Sequence, residues 1–285
     1  MTAGGFPAVD PEALLATRLE QSSKGEVVVL PSMPPGDTVA WTERFLECGS
    51  VVDVPIASHA LVKRSLVRTT DSFIRLKQPN STGLSRAILR TRDVFAAALL
   101  LLVTSPLLAI SALAVKVSSP GPVLFRTAVV GRYGAHFTWH KVRTMRVVPG
   151  GDEDERSERF VAHLQSGARV KLVDRARVTA VGRLLRRHSI DELPQLFNVL
   201  TGDMTLVGPR PCLPYEYEAS EPWHKLRFQA TPGLTGAWQA YGRSQASFDE
   251  MAFLDYCYAH SRSFGRDLGI LLKTFVVVVT GQGGE

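Results

Sequence analysis

The run VFAAALLLLVTSPLLAISALAV, residues 94–115, carries no charged side chain, and its reading decides the rest. Its length falls in the window of roughly 17–25 residues that crosses a bilayer as a helix. A helix buried in a soluble core is the alternative, but such helices keep a polar stripe that this run lacks. Ser105-Pro106 stands at its middle. Proline there removes a backbone hydrogen bond and collides with the preceding turn, which predicts a kink. Both flanks are basic, with Arg86, Arg90 and Arg92 before it and Lys116, Arg126 and Arg132 after it. A spanning helix calls for one basic flank, on the inner face. A helix that enters, bends at Ser105-Pro106 and leaves on the same side keeps both flanks with one leaflet. The reading is a re-entrant membrane hairpin over residues 86–117.

Working outward, the 285 residues suffice for one or two domains with a full core. The net charge of +6 suits an anionic partner, whether phosphate groups, an acidic lipid surface or nucleic acid. Cys48, Cys212 and Cys257 are odd in number and scattered. They exclude a disulfide framework and a thiolate zinc site. The first residues have no basic region followed by an apolar run, so no signal peptide is expected. Residues 1–85 read as a leader to about residue 25, followed by an α/β fragment. Glu26–Leu30 is a strand ended by Pro31, Pro34 and Pro35. Asp37 is the expected N-cap of a helix through Phe45 and Leu46, with Gly49 its stop, and Val51–Pro55 is a second strand.

The remaining residues, 118–285, read as mixed α/β and carry the chemistry. Ser118–Pro122 is a turn cluster, and Phe137–Arg143 a strand with Phe137, Trp139, Lys141 and Arg143 on one side. His136 and His140 have a helical metal spacing, but on a strand with no third ligand near they make no metal site. The strongest local signal is RRHSIDELPQLFNVLTG, residues 186–202. Leu193, Leu196, Phe197 and Leu200 fall on one helical face, which predicts that all four are buried. Pro194 must lie in the first turn, so the helix starts near Ser189–Asp191 and Gly202 ends it. Asp191 and Glu192 at a helix N-terminus stay ionised and attract a phosphate-bound metal. The competing reading is plain capping, since Ser189 and Glu192 have capping-box spacing. Arg186, Arg187, Arg210 and the run LVGPRP, residues 206–211, favour an anionic substrate between those cations and the carboxylates. Near the end, Leu268, Leu271, Leu272, Phe275, Val276 and Val279 form an apolar helical stripe between Arg266 and Lys273. It suits either the core or the membrane surface.

The segment SIDELPQLFNVL, residues 189–200, followed by GDMTLVGPRP, residues 202–211, resembles the signature of the bacterial sugar transferase family. These are monotopic polyprenyl-phosphate phosphoglycosyl transferases of exopolysaccharide and glycan assembly. The likeness extends back through Lys141–Met145 to Arg92-Asp93. It extends forward through Pro232–Gly236, Gln239, Gly242-Arg243, Asp255, Tyr258 and Asp267–Thr274, covering roughly residues 90–283. The resemblance implies a monotopic α/β enzyme, with the hairpin, a small catalytic domain and a truncated Rossmann-like N-terminal piece of structural or partner-docking role. It implies a UDP-sugar donor and a polyprenyl (undecaprenyl) phosphate acceptor. Asp191 would be the nucleophile of a covalent sugar-phosphate intermediate, and Glu192 the ligand of Mg²⁺. A carboxylate nucleophile splits one hard displacement into two, and metal and arginines offset the charge at phosphorus. Arg186 and Arg210 fit as bidentate phosphate clamps, with Lys141, Arg143 and Arg243 as further cations. The expected place is the cytoplasmic face of the inner membrane, among its lipids and with downstream glycosyltransferases as partners. The chain departs from the family pattern at Thr127, Val129, Val142 and Ala176, where Gln, Arg, Phe and Pro are expected. A membrane-anchored, non-catalytic assembly protein keeping the fold is the alternative. A nucleic-acid binder, which needs one basic and aromatic face and no bilayer segment, is excluded.

Overall fold

The computed structural model describes residues 11–24, 26–55, 73–77, 83–147, 157–162, 175–242 and 246–281. In the N-terminal part, helix α1 (Pro11–Glu20) precedes strand β1 (Val27–Val29), helix α2 (Pro35–Glu47) and strands β2 (Val51–Pro55) and β3 (Phe73–Leu76). The sheet order is β1-β2-β3, with β1 parallel and β3 antiparallel to β2. Alternation puts Val28 inward on β1, while Val52 and Val54 of the central strand are buried beside Ile74 and Leu76 of β3. Asp53 is buried among them and is offset by its cross-strand neighbour Arg75, whose Nε and Nη2 donate at 2.7 and 2.6 Å. Two details differ from the sequence reading. The leader is not idle, because α1 buries Leu15 against this core. Pro34, not Asp37, is the N-cap of α2, since proline presets the first turn and Asp37 falls within it.

Glu43 of α2 accepts from the Tyr256 hydroxyl at 2.6 Å, and the Lys77 amide donates to the His260 carbonyl. Through these contacts the N-terminal strands share one continuous apolar core with the rest of the chain.

Helix α3 (Gly83–Ser118) is the one helix, among the described residues, long and apolar enough to cross a membrane. It continues through Pro106. Proline at 106 cannot donate to the Leu102 carbonyl one turn back. The Ser105 hydroxyl donates to that carbonyl instead, at 2.8 Å. That substitution satisfies the carbonyl without water, the condition for a proline in a helix that is to enter lipid. Both ends of α3 are held by the same body. Arg90 donates to the carbonyls of Val199 and Leu200, and Arg92 to Asp267 at 2.8 Å. At the far end Val115 packs with Val142 and Leu185. Between them Phe95, Leu102, Val103, Ile110 and Leu113 are exposed.

The C-terminal part is built from short elements. Strands β4 (Leu124–Val130) and β5 (His136–Val142) form an antiparallel hairpin, and β6 (Thr205–Val207) and β7 (Gly233–Thr235) a parallel pair. Val129 is fully buried, so the position where an arginine was expected is a core position here. His140 pairs with Asn198 at 3.2 Å. Helix α4 (Ala180–Arg187) begins on the Thr179 hydroxyl, which accepts from the Gly182 amide at 2.9 Å. A 3₁₀ turn (Ile190–Gln195) absorbs Pro194 and runs into α5 (Leu196–Thr201), which Gly202 ends at φ 100°. Leu196 and Val199 of α5 are buried, but Phe197 is 55% exposed. The expectation that Phe197 shares the buried face therefore fails. Within α5 the side of Leu196 and Val199 takes the core, and Phe197, one residue on from Leu196, faces α3 beside Leu200. After α6 (Pro214–Glu218) and α7 (Pro222–Lys225) comes α8 (Phe248–Ser261), nearly all buried. Helix α9 (Phe264–Thr280) buries Ile270 and Val277 and leaves Leu268, Leu272, Phe275, Val276 and Val279 outside. Of the two placements open for that stripe, the structure gives the outward one.

Candidate active site

Asp191 sits in the first turn of the 3₁₀ helix, immediately after an abrupt reversal of the chain. Helix α4 stops at His188, and Ser189 takes the left-handed conformation (φ 52°, ψ 25°), rare for a residue with a side chain. This elbow turns Asp191 inward, where it is only 6% exposed. Ser189 makes no side-chain capping bond, so the capping box that its spacing with Glu192 permits does not form. The two carboxylates are therefore not explained by helix capping.

Burial raises the Asp191 carboxyl from the ordinary 3.8 to about 6, and the neighbouring Glu192 charge pushes the same way. Lys141 and Arg186 oppose the shift by attracting the charged form. Lys141 comes from β5 and pairs with Glu192, Nζ to Oε1 at 2.9 Å, with its ammonium 3.8 Å from the centre of the Trp139 ring. Arg186 comes from the last turn of α4, where its Nε donates to the Thr144 hydroxyl at 3.1 Å. Its Nη1 is buried and has no protein partner among the described residues. A buried donor of that kind asks for an acceptor, and a bound phosphate oxygen would supply one.

The other expected cations separate. Arg143 is buried and donates to the carbonyls of Ser119 and Pro120, the latter two just beyond the end of α3. These bonds brace the end of α3, while the Arg143 Nε is buried with no protein partner among the described residues. Arg210 lies 3.5 Å from Glu216 and stacks toward Trp238, while its backbone amide donates to Asp255 at 3.1 Å. Arg243 lies outside the described residues. Sequence reading missed how the arginine loop is held. Asp255, wholly buried, accepts from both the Arg210 amide and the buried Arg227 at 3.1 Å. The Gly208 amide donates to Thr235 and the Gly233 amide to Pro209, which ties the loop to β7. A lone aspartate on an apolar helix gives little signal of this beyond its failure to suit a core.

Among the described residues no group of three or more His, Cys, Asp or Glu could cage a metal. The adjacent pair Asp191-Glu192 instead fits the mode of Mg²⁺, which takes one or two carboxylates and completes its shell with water and substrate phosphates.

The family model described as Bacterial sugar transferase matches residues 84–281. The chain belongs to that family. Its relatives include the UDP-glucose:undecaprenyl-phosphate glucose-1-phosphate transferase of Caulobacter vibrioides, 43% identical over 199 residues, covering 67% of this chain and 69% of that protein. The galactosyl transferase CpsE of Streptococcus agalactiae is 42% identical over 58% of this chain and 36% of its own length. The undecaprenyl-phosphate galactose phosphotransferase of Salmonella typhimurium is 35% identical over 74% of this chain and 44% of its own. The chain thus spans less than half of two of these three bacterial sugar transferases.

Proposed function

We propose that the chain transfers a sugar-1-phosphate from a UDP-sugar to undecaprenyl phosphate, with Asp191 as covalent nucleophile. One observation carries the reading: a buried, incompletely stabilised carboxylate stands between Lys141 and an arginine with an unsatisfied buried donor. The names of the Caulobacter and Salmonella relatives support the donor and acceptor classes. In the first step an Asp191 oxygen bonds to the sugar-bearing phosphorus. The bond from that phosphorus to the bridging oxygen breaks, and its electron pair leaves with UMP. In the second step an oxygen of the polyprenyl phosphate bonds to the same phosphorus and releases the Asp191 carboxylate. Arg186 binds non-bridging oxygens as their charge grows, and Lys141 orients Glu192. Mg²⁺, when bound, offsets diphosphate charge, and Glu192 is the residue to hold it. The helix α3 then enters and leaves the bilayer on the cytoplasmic face, consistent with both its ends gripping one body, and the N-terminal sheet serves as structure or as a docking point for later glycosyltransferases.

The test is UMP release by the full chain in lipid nanodiscs, with a panel of UDP-sugars, undecaprenyl phosphate and Mg²⁺, beside Asp191→Asn. Release with one donor that vanishes in the variant and with chelator is expected. Folded protein that releases no UMP from any donor refutes the reading in favour of a non-catalytic assembly role.

A further inference from the structure

Glu43 of α2 lies outside residues 84–281, the stretch that the family model matches, yet its carboxylate meets groups inside that stretch. Oε1 accepts from the Tyr256 hydroxyl at 2.6 Å and lies 3.4 Å from His260 Nε2, both residues of α8. Oε2 accepts from the Gln229 side-chain amide at 3.4 Å. We infer that Glu43 is a positioning residue of the transferase, one that fixes the loop carrying Arg210. The inference rests on the proposed activity, with Arg210 as a cation for the donor.

The two elements that Glu43 joins supply the two halves of a buried ion pair. Tyr256 follows Asp255 on α8, and Gln229 ends the 3₁₀ turn Leu226–Gln229 in which Arg227 stands. Arg227 and Asp255 are 1% and 0% exposed, yet they meet through a single contact, Nη1 to Oδ2 at 3.1 Å. The same Oδ2 accepts from the Arg210 backbone amide at 3.1 Å. Asp255 Oδ1 and Arg227 Nε and Nη2 are buried with no protein partner among the described residues. A guanidinium and a carboxylate that are free to adjust settle into a fork of two parallel bonds, and buried unpaired groups favour that change. Closing the fork turns the carboxylate, and a turned carboxylate no longer aims Oδ2 at the Arg210 amide. Glu43, bonded on both sides of the pair, holds α8 and the turn at the spacing where the fork stays open.

Arg210 is what the loop presents. Its side chain is 24% exposed, 3.5 Å from Glu216 and over the Trp238 ring, which leaves the guanidinium accessible to an anionic donor. The start of the loop hangs on α8 as well, since the Tyr258 hydroxyl donates to the Val207 carbonyl at 3.0 Å. So α2 restrains α8, α8 restrains the loop, and the loop sets where Arg210 stands.

The test is hydrogen exchange of the full chain in nanodiscs, read at the peptide containing Arg210. Beside it, UMP release is titrated separately with the UDP-sugar that supports turnover and with undecaprenyl phosphate. Glu43→Ala should speed exchange at the Arg210 amide about tenfold and lower kcat/KM for the UDP-sugar about tenfold, with kcat/KM for undecaprenyl phosphate unchanged. Tyr256→Phe, which deletes one hydroxyl, should move both readouts the same way by less. Glu43→Gln, whose amide oxygen still accepts from Tyr256, should stay within about twofold of the wild-type chain. Val39→Ala, at a fully buried position of the same helix, should lower the unfolding temperature and leave both readouts unchanged. Exchange at Arg210 unmoved by Glu43→Ala, equal losses for both substrates, or the same changes in Val39→Ala would each overturn the inference. Exchange needs no turnover, so the two readings fail separately. Faster exchange in Glu43→Ala, beside a wild-type chain that releases no UMP, sinks the transferase reading and keeps the coupling. UMP release with exchange unmoved sinks the positioning role alone.

Discussion

Replacing Asp191 by asparagine should make the protein more stable at neutral pH, although it removes the proposed nucleophile. The folded state holds this carboxyl at about 6, against 3.8 for an ordinary aspartate. Each pKa unit is worth about 1.36 kcal/mol, so ionised Asp191 costs the fold about 3 kcal/mol. The sign follows from the direction of the shift. Below pH 3.8 the residue is neutral folded and unfolded, and asparagine should change little. As pH rises from 3.8 through 6 the unfolded chain loses its proton first, and the folded state falls behind. Above pH 6 the handicap is complete, and only the variant escapes it. The assay is thermal unfolding in nanodiscs with chelator present, at pH 4, 5, 6 and 8. At about 2–4 °C per kcal/mol for a chain of this class, the variant should lead by on the order of 6–12 °C at pH 8 and by almost nothing near pH 4. A gap that does not change with pH, or a variant less stable at pH 8, would refute the claim that burial, not ion pairing, dominates at Asp191.

Gly182→Ala should cripple the protein, because the added carbon would lie 2.0 Å from the Thr144 carbonyl oxygen and would push α4, with Arg186, off the segment that follows β5; loss of UMP release with a lowered unfolding temperature is the readout. Asp255→Ala leaves the buried Arg227 charge unpaired and should cost about 3–5 kcal/mol, while the double variant Asp255→Leu/Arg227→Met should recover most of it in the same unfolding assay. Ser105→Ala strips the Leu102 carbonyl of its donor within the bilayer and should cost about 1 kcal/mol in unfolding from mixed micelles, with Ser105→Thr neutral.

The parts legible in the sequence were those set by local rules. A charge-free run gave α3, Pro194 fixed the start of the turn that carries Asp191, and Gly202 gave the end of α5. What local rules leave open is which of several similar groups meets which partner. Arg143 and Arg186 look alike as cations near a carboxylate pair, yet Arg143 is claimed by two carbonyls beyond α3, whereas Arg186 bonds Thr144 and draws Asp191 toward its charged form. Leu196 and Phe197 are adjacent on one apolar face, and which of them meets the core and which meets α3 is set by tertiary packing that the pattern does not carry. The capping box failed for a related reason: Ser189 adopts φ 52°, and a cap needs an extended backbone.

That conformation also explains why so much structure converges on one short elbow. A left-handed residue with a side chain costs roughly 1–2 kcal/mol and persists only where its neighbours over-determine it. Upstream, α4 is fixed by its Thr179 cap and by the close seat of Gly182 on Thr144. Downstream, Ile190 is held in the cluster with Val115 of α3. At the elbow itself the His188 ring pairs with the Val278 carbonyl at 2.8 Å, one of the last carbonyls of α9, which no helical amide reaches. Two of these restraints come from the helices with the largest apolar outer faces, α3 and α9. The packing of those two helices on the body of the protein therefore helps to hold the turn that buries Asp191.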